Sequence, residues 1–494
     1  MIKRVWQAMP WWVWVCLILL LPITSMPWIV NLVGSDSVAA PSGIVLAVLV
    51  LIWLVPYAWK RGQFPAQAIP LLGFALVALI ATGLAAFLPI MPYKDVSFIK
   101  NELKDVLTLF IGICFYLVAA IFPIGEERLK KTLRWLNWGG LVVLLWSLVQ
   151  ALSWFGFNHY PILVRQIQEF FSSGPLYRQR VNGFAFEPSW LAHQLNMVYL
   201  PIWLAATVRR FSVHPFRLLG VTFENLLFVG GVAALFLTYS RVGLLAFILM
   251  ITYLFIQANI RLSHWLKMRM SLAKQVDHAQ RRGKILSFSV TAVFIVSYMA
   301  ILAGGAFALS RLDPRMKDLF TFSFGKDDPI LRYADRLNIA SRLVYWQAGW
   351  GVFNDYPILG VGLGNAGYFF TQKLTPYAWS LVEVRDLVYR SSNLLNIKSL
   401  WVRLLAETGI VGFAFFVSWL YLLWQSTRAG KNNNSTQWKS LSLAGKFVLL
   451  ALLFEGFSLD TFALPYIWFA LGLLTAASSS INPGDLETQK KEIL

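Results

Sequence analysis

Long stretches of nearly uninterrupted apolar residues recur along this chain and constrain its fold more than any other feature. An α-helix needs about 20 such residues to cross the hydrocarbon core of a bilayer, and each stretch is close to that length. The stretches lack the period-two alternation of barrel strands, and within lipid a helix satisfies its own backbone hydrogen bonds. The sequence therefore predicts an all-α polytopic membrane protein with about twelve transmembrane helices, at residues 11–30, 42–59, 68–88, 106–123, 135–156, 189–208, 218–238, 242–259, 286–309, 400–424, 441–459 and 462–479.

The overall composition excludes the soluble classes of protein. Hydrophobic residues make up 57% of the chain and charged residues only 14%, whereas about 25% of the residues in a soluble domain are charged. A soluble enzyme, an intrinsically disordered chain and a disulfide scaffold are excluded, because none of them could keep so much apolar surface from water.

Clusters of Lys and Arg lie in alternate connections between the predicted spans. Short loops rich in these residues stay in the cytoplasm, so both termini and all of the clusters are predicted to be cytoplasmic. The net charge of +19 then follows largely from topology, and we expect no nucleic acid as a partner. The clusters are Lys3/Arg4, Lys60/Arg61, Arg128/Lys130/Lys131/Arg134, Arg209/Arg210/Arg217, the basic residues within 261–284, and Arg428/Lys431/Lys439.

Two long segments lie on the opposite face, residues 157–188 and residues 310–399. Long loops translocate whatever their charge, so topology does not explain the basic residues in them. Guanidinium groups match phosphate oxygens in pairs, which favours a site for a phosphorylated, membrane-held substrate; a solvated, salt-bridged surface is the alternative. The basic residues are Arg165, Arg178, Arg180, Arg311, Arg315, Arg332, Arg336, Arg342, Arg385, Arg390 and Lys398.

These spans and loops divide the chain into four parts. Residues 1–156 carry the first five helices, and residues 157–309 carry the first outer loop and helices six to nine. Residues 310–399 form the large outer loop, and residues 400–494 carry the last three helices and a cytoplasmic tail.

The first candidate motif, Arg180-Val-Asn-Gly-Phe-Ala-Phe-Glu187-Pro188-Ser189, leads into the sixth span. Pro188 suits the first position of a helix and pushes Glu187 out of helical geometry. We expect the Glu187 carboxylate to face the positive end of the helix dipole, where it can accept a proton; a helix cap is the alternative. His193 shares a helix face with Ser189, and a packed, hydrogen-bonded histidine is its simplest interpretation.

The second motif, Thr238-Tyr-Ser240-Arg241-Val-Gly243, is a very tight turn between the seventh and eighth spans. Ser240 is expected to cap the eighth helix. Arg241 then lies at a helix N-terminus, where free backbone N–H groups and the helix dipole favour an anion. An arginine so close to hydrocarbon needs a partner, and phosphate would supply one; snorkelling to lipid headgroups is the alternative.

The third motif runs from Ser341-Arg342 to the glycine-rich stretch at residues 357–365. Apolar residues at 343, 346, 350 and 353 predict a one-sided helix with Arg342 in its first turn. The glycines allow a tight turn or a close approach to a ligand. Trp346, Trp350 and Tyr368 could stack on sugar rings, although such aromatic residues are more often core residues or interfacial anchors.

The fourth motif opens the tenth span and runs from Lys398 through Arg403 to Glu407-Thr-Gly409. Arg403 and Glu407 are four residues apart and share a helix face, so an ion pair between them is the simplest interpretation. Glu455 and Asp460 add carboxylates at the outer end of the eleventh span.

The order and spacing of these motifs resemble the O-antigen ligase and polysaccharide polymerase superfamily of bacterial inner-membrane proteins. The resemblance covers roughly the C-terminal two thirds of the chain. The matching pieces are Arg180-x-x-Gly183 with Glu187-Pro-Ser, Ser240-Arg241-x-Gly243-Leu, Ser341-Arg342 with Pro357-Ile-Leu-Gly-Val-Gly-Leu-Gly-Asn365, and Glu407-x-Gly409-x-x-Gly412.

The resemblance implies a GT-C-like integral-membrane glycosyltransferase with its active site on the periplasmic side of the inner membrane. Its donor would be a polyprenyl-diphosphate-linked glycan, and a chain-length regulator is a candidate partner. No metal or cofactor is expected, because arginines would neutralise the departing diphosphate. The residues expected in these roles are Glu187 and Glu407 for catalysis, Arg180, Arg241, Arg342, Lys398 and Arg403 for the diphosphate, and Trp346, Trp350 and Tyr368 for the glycan.

One departure from the family pattern bears on the reaction. Ligases of this superfamily look as though they place a histidine, often His-Asn, where this chain has Lys398 followed by Ser399. The departure favours a polymerase of lipid-linked oligosaccharide repeat units, of O-antigen or exopolysaccharide, with Glu187 as the base. A ligase that transfers glycan to lipid A core or another acceptor is the second hypothesis. A flippase or other twelve-helix transporter is the third, although carriers usually place their charges near the bilayer midplane.

Overall fold

The fold is seen in a computed structural model of the chain. The structure describes residues 2–34, 39–94, 96–272, 289, 291–300, 303–304, 307, 334, 339–391, 393–428 and 435–481. Among the predicted outer-face arginines, Arg311, Arg315, Arg332 and Arg336 lie outside the described residues.

Helices make up most of the described residues. The principal helices are α1 (Ile2–Leu20), α2 (Pro27–Val33), α3 (Pro41–Trp59), α4 (Ala68–Ala85), α5 (Phe98–Ile121), α6 (Glu126–Phe157), α7 (Ile162–Phe171), α8 (residues 188–209), α9 (Phe223–Leu237), α10 (Arg241–Leu272), α11 (Thr291–Ala300), α12 (Ala340–Asp355), α13 (Leu400–Ser426), α14 (Thr436–Glu455) and α15 (Pro465–Ile481). Two helices contain a π-helical turn, α3 at Val50–Leu54 and α8 at Leu195–Tyr199.

The remaining described elements are short. Two antiparallel strands, β1 (Arg217–Leu218) and β2 (Val221–Thr222), form a small hairpin in which Arg217 lies opposite Thr222. Between α12 and α13 the chain makes short helical turns at Ala366–Phe369, Phe370–Lys373, Pro376–Ser380, Val382–Arg385 and Asp386–Arg390.

The structure confirms an all-helical, many-span membrane fold. Within the described residues, seven helices are long and apolar enough to cross a bilayer, namely α3, α4, α5, α6, α13, α14 and the part of α10 from Arg241 to Trp265. The total of twelve spans and the large outer loop remain predictions.

Two predicted spans differ in detail from the structure. The span predicted at 11–30 is divided, because α1 ends at Leu20 before Pro22 and α2 begins at Pro27. Proline cannot continue a helix that precedes it without losing a backbone hydrogen bond. The span predicted at 218–238 begins with the β1–β2 hairpin, which leaves α9 with 15 residues.

The chain divides into two compact units, and the first contains residues 1–246 and 344–494. In this unit α5 packs closely against α15, because glycines remove the side chain at the contact. A Cβ on Gly112 would lie 2.3 Å from the ring of Trp468, and a Cβ on Gly472 would lie 2.5 Å from the carbonyl oxygen of Tyr116. Trp468 stacks on Trp419 with 5.8 Å between ring centroids. This close packing makes a well-filled helical core.

The second unit contains residues 247–343. Its described part holds most of α10 and the whole of α11. Phe255 of α10 packs against Phe294 and Tyr298 of α11, and the hydroxyl groups of Thr252 and Tyr298 are hydrogen-bonded.

Candidate functional site

The start of α8 holds Glu187 in the geometry that the sequence predicts. Pro188 is the first helical residue, and Glu187 has the extended backbone angles φ −131° and ψ 154°. The Ser189 hydroxyl donates a hydrogen bond to the Glu187 carboxylate over 2.9 Å. The Glu187 side chain is half-buried, so it remains accessible to a ligand.

Arg180 joins this region to the turn that precedes α10. Its Nε donates a hydrogen bond to the backbone carbonyl of Thr238 over 2.8 Å, and its guanidinium lies 5.9 Å from the ring centroid of Tyr177. Burial raises the pKa of Tyr177 above its ordinary value, with Glu187 adding to the shift and Arg180 opposing it. The first two sequence motifs therefore meet, although more than fifty residues separate Arg180 from Thr238.

The turn at Thr238–Ser240 caps α10 and fixes Arg241 as its first residue. The Ser240 hydroxyl accepts a hydrogen bond from the Gly243 N–H over 3.3 Å, as the sequence predicts. Gly243 touches α8, since a Cβ there would lie 2.6 Å from the Cβ of Ala192. Arg241, whose side chain is half-buried, therefore lies close to α8, near the end of that helix that follows Glu187.

A sealed network lies one turn deeper along α8. His193 pairs through Nδ1 with the carboxylate of Glu455, the last residue of α14. Asn196 donates to Glu455 Oε1 and to the carbonyl of Gly243, each over 2.7 Å. His193 is therefore a packed residue whose contact with Glu455 links α8 to α14. We call His193, Asn196 and Glu455 the sealed network.

The glycine-rich motif packs onto a break in α13. Gly409 has φ 63° and ψ −170° inside the helix, so the helical hydrogen bonds are interrupted there. The freed backbone groups find partners in the motif: Ile410 N–H donates to the Pro357 carbonyl over 2.8 Å, and Gly362 N–H donates to the Glu407 carbonyl over 2.9 Å. Two sequence motifs thereby form one unit that holds Glu407 in place.

The glycines of this motif are required by close backbone approach. A Cβ on Gly409 would lie 2.1 Å from the carbonyl oxygen of Ile358, and a Cβ on Gly360 would lie 2.5 Å from the carbonyl carbon of Glu407. A Cβ on Gly364 would lie 2.3 Å from the carboxylate of Asp105. Gly360, Gly362 and Gly364 have φ angles of 69°, 83° and 77°, so the tight turn expected from the sequence is present, and the glycines also pack closely against other parts of the protein.

Arg403 is the centre of an open network at the start of α13. Its Nε lies 2.8 Å from Glu407 Oε2, which is the ion pair expected from the sequence, and its NH2 lies 3.0 Å from Asp105 Oδ2. Its NH1 donates to the backbone carbonyl of Asp460. The Asp460 carboxylate in turn accepts from the Lys398 N–H over 2.8 Å. We call Asp105, Arg403, Glu407 and Asp460 the open network.

The open network lines a cavity of about 540 Å³. Trp190 also lines this cavity, and it is the third residue of α8 after Glu187. The cavity therefore connects the open network to the end of α8 that carries Glu187. The other polar residues in its wall are Asn101, Lys104, Thr108, Asn393, Asn396 and Thr461.

The sequence analysis did not identify the polar residues of α5 in this wall, nor Asn393, Asn396 and Thr461. Asn101, Lys104, Asp105 and Thr108 follow the spacing of one helix face, i, i+3, i+4 and i+7. They also lie at the outer end of a predicted span. A row of polar residues at one end of an otherwise apolar helix is the signal that could have identified them.

The other predicted site residues have varied surroundings. Lys398 pairs with Glu383, and its Nζ lies 5.0 Å from the ring centroid of Tyr345. Arg342 belongs to the second unit, in the first turn of α12, and a common site with the arginines of the first unit remains a prediction.

The three aromatic residues predicted to contact glycan differ in exposure. Trp346 donates to the Lys398 carbonyl over 3.4 Å. Trp350 is 50% exposed, and its ring packs on Phe353. Tyr368 is buried beside Phe98. A contact with glycan remains a prediction for each of them.

The face of α12 that is buried is not the one formed by residues 343, 346, 350 and 353. Val344, Tyr345, Ala348 and Val352 are buried instead. The reason lies in two packed contacts: the Tyr345 ring stacks on Phe370, and α12 meets the start of α13 at Gly349. The prediction, which followed the positions of the large apolar residues, therefore chose the wrong face of this helix.

Across the part of the chain that the structure describes, no group of three or more His, Cys, Asp or Glu residues is arranged to hold a metal ion. The charged groups that face the cavity are Lys104, Asp105, Arg403, Glu407 and Asp460.

The comparisons with known proteins bear on the C-terminal motifs. Residues 226–417 match the family model described as O-antigen ligase. This segment contains Arg241, Arg342, the glycine-rich motif and Glu407, and the match confirms the resemblance to the O-antigen ligase and polysaccharide polymerase superfamily. No curated protein matches the chain significantly.

Proposed function

We propose that this chain, whose residues 226–417 match the O-antigen ligase family model, polymerises lipid-linked oligosaccharide repeat units. The donor is a glycan on a polyprenyl diphosphate, and the acceptor is a sugar hydroxyl of another lipid-linked repeat unit, as in O-antigen or exopolysaccharide synthesis. The reaction takes place on the periplasmic side of the bacterial inner membrane, and both termini of the chain are cytoplasmic.

The observation that carries this proposal is the meeting of Arg180, Glu187 and the Arg241 turn at one end of α8. Arg180 is bonded to the turn before Arg241, and both lie beside the helix that starts after Glu187. An arginine and the turn that carries a second arginine, both near a carboxylate at the start of α8, suit the transfer of a sugar from a diphosphate to a hydroxyl.

The proposed chemistry is a single group transfer. The bond between the sugar C1 and the diphosphate oxygen breaks, and a bond from C1 to the acceptor oxygen forms. Glu187 accepts the proton from the acceptor hydroxyl. The arginines stabilise the negative charge that develops on the leaving polyprenyl diphosphate, so a divalent metal is not required.

Polymerase is favoured over ligase by Lys398. The ligase pattern places a histidine at this position, whereas the lysine here pairs with Glu383. A base of the ligase type is thus replaced by a cation that is already engaged in an ion pair.

The test is an assay of the purified chain in liposomes with lipid-linked repeat units and no other acceptor. We expect longer glycans. Product that forms only when lipid A core is added would indicate a ligase, and movement of the lipid across the bilayer without a new bond would indicate a carrier.

The role of Glu187 is tested in the same assay by Glu187→Gln. We expect the rate to fall by about 100-fold or more, because a positioned base contributes about 10²- to 10⁴-fold. Glu169→Gln is the matched control, since Glu169 is an exposed carboxylate on α7. A Glu187→Gln enzyme as fast as the control would refute the assignment.

A further inference from the structure

The cavity beside the open network has the dimensions of a ligand site. Its volume of about 540 Å³ falls within the range of about 300–1,000 Å³ that is typical of small-molecule sites. Its walls come from α5, α13, the start of α8 and the loop that contains Asn393 and Asn396. These are separate parts of the first unit, and they converge on one space.

The charges in this cavity do not suit a diphosphate. Three carboxylates, from Asp105, Glu407 and Asp460, face two cations, from Lys104 and Arg403. Arg403 already directs all three of its nitrogen atoms to protein oxygens, those of Glu407, Asp105 and Asp460. An anionic ligand would meet three carboxyl groups and a guanidinium whose three nitrogen atoms already contact protein oxygens.

The same walls suit a ligand rich in hydroxyl groups. Carboxylates accept hydrogen bonds from hydroxyls, and carboxamides both donate to and accept from them. Asn393 and Asn396 are exposed residues of the cavity loop, so their amides are accessible. Trp190 adds an aromatic ring, of the kind that packs against the apolar face of a sugar.

The position of Trp190 relates this space to the proposed base. Glu187 precedes the first turn of α8, and Trp190 is three residues further along. The Trp190 N–H donates a hydrogen bond to the Glu187 carbonyl over 3.0 Å, so the two residues are neighbours at the start of α8. A sugar that touches Trp190 would present its hydroxyl groups toward the end of α8 where Glu187 lies.

We propose that this cavity is the acceptor subsite, which holds the terminal sugar of the acceptor glycan through Trp190, Asn393, Asn396 and the carboxylates of the open network. The proposal rests on the polymerase function proposed above. It assigns acceptor and donor to different places, with the sugar hydroxyls in this cavity and the diphosphate at Arg180 and Arg241. It also predicts an acceptor sugar that is neutral rather than acidic.

The experiment compares the wild type with the double variant Asn393→Ala/Asn396→Ala, using a delipidated repeat oligosaccharide as acceptor and the lipid-linked repeat unit as donor. Both residues are exposed, so the variant is expected to fold. We expect the KM for the acceptor to rise about tenfold, and the KM for the donor to change less than twofold. Gln347→Ala, an exposed amide on α12 outside the cavity wall, is the control and should change neither value.

Two further arms use probes of defined charge. Inorganic pyrophosphate should inhibit competitively against the donor and not against the acceptor. An acceptor that ends in a neutral hexose should react with at least tenfold higher kcat/KM than one that ends in the corresponding hexuronic acid.

The outcomes separate this proposal from the proposed function. A wild type that forms no polymer in any arm refutes the function itself. A wild type that polymerises while the double variant keeps the normal acceptor KM, or raises the donor KM instead, overturns the acceptor subsite. Competition between pyrophosphate and the acceptor, or a preference for the uronic acid, overturns it as well.

Discussion

The sealed network and the open network contain the same kinds of groups in different surroundings. Each pairs a carboxylate with a cationic or titratable side chain, and each includes a residue at or just after the end of α14, Glu455 in one and Asp460 in the other. The side chains of His193 and Glu455 are 2% and 0% exposed, whereas those of Arg403, Asp105 and Glu407 are 11%, 19% and 6% exposed beside a cavity.

This difference separates a structural role from a binding role. In the sealed network, Glu455 finds its partners within the protein, so its contacts with His193 and Asn196 join α8 to α14. In the open network, the carboxylates keep some access to the cavity, where ligand hydroxyls can replace water. Buried ion pairs are therefore not by themselves evidence of a site, and the space beside them is the better guide.

The largest expected effect is on stability in the sealed network. His193→Leu removes the ring that faces the fully buried Glu455 carboxylate and leaves Asn196 as its remaining hydrogen-bond donor, so we expect the free energy of unfolding to fall by about 1–3 kcal/mol. The double variant His193→Leu/Glu455→Leu removes both charged groups and should recover most of this loss. Unfolding in detergent micelles measures both.

The contrast between the single and double variants is decisive for the sealed network. If the double variant is as unstable as the single one, uncompensated charge is not the cause. If either variant raises the KM for the acceptor while the protein remains folded, the network has a role in binding and the comparison fails.

The next effect should appear in activity rather than in stability. Glu407→Gln keeps the shape of the side chain and a hydrogen-bond acceptor for Arg403, and Arg403 still has Asp105 as a partner. We expect the free energy of unfolding to change by no more than about 1 kcal/mol. The loss of a charged hydrogen-bond acceptor for the substrate should lower kcat/KM for the acceptor by about 10- to 100-fold.

This result would be the reverse of that expected for His193. Polymer formation at varied acceptor concentrations gives kcat/KM, and unfolding of the same preparation gives stability. A Glu407→Gln protein that is strongly destabilised but fully active per folded molecule would show that the open network is structural too.

A smaller effect is expected at the break in α13 that supports the open network. Gly409→Ala places a side chain at φ 63°, 2.1 Å from the Ile358 carbonyl oxygen. The left-handed conformation alone should lower the free energy of unfolding by about 1–2 kcal/mol. The acceptor KM should rise as well, because the Glu407 backbone is bonded to the glycine-rich motif.

Gly83→Ala is the control for this substitution. Gly83 lies in α4, where an added Cβ would meet no neighbouring atom within 4 Å. Alanine should therefore leave stability unchanged or raise it by up to about 1 kcal/mol. Equal stability of the two variants would contradict the proposed packing of the motif on α13.

Several features of the fold could be predicted from the sequence, because they depend on local patterns. Apolar length predicted the membrane helices, Pro188 predicted the start of α8, and the spacing of Arg403 and Glu407 predicted their ion pair. The fourth-motif glycine Gly409 was visible as a residue, but its break in the helix was not, since the break depends on partners about fifty residues away along the chain.

The pairing of distant residues could not be predicted from these local patterns. Asp105 and Arg403 are almost three hundred residues apart, and a single sequence does not show which helices are neighbours. His193 and Glu455 are separated in the same way. The polar stripe on α5 is visible in the sequence and could have indicated one wall of the cavity. The residues of the other walls could not be predicted, because helix packing brings them to this place.

The smallest expected effect concerns a histidine without a carboxylate partner. His214 packs against the rings of Phe223 and Trp138, with centroid distances of 4.7 and 6.0 Å, and its Nε2 is buried with no hydrogen-bond partner among the described residues. Burial lowers the pKa of His214 below its ordinary value of 6.5; Glu224 opposes this shift and Arg134 adds to it. The contrast with His193 is therefore between a ring that packs against aromatic residues and a ring that packs against the Glu455 carboxylate.

The sign of the pH effect follows from the lowered pKa. The folded state favours the neutral ring, so its contribution to stability is complete above the unfolded pKa and is lost as the pH falls below it toward the lower folded value. His214→Phe should flatten this part of the stability profile while it keeps the ring packing. Unfolding measured between about pH 7.5 and 5 tests this, with the exposed His264→Phe as control. If wild type and His214→Phe lose stability equally on acidification, His214 is not the group responsible, and the contrast between the two histidines does not hold.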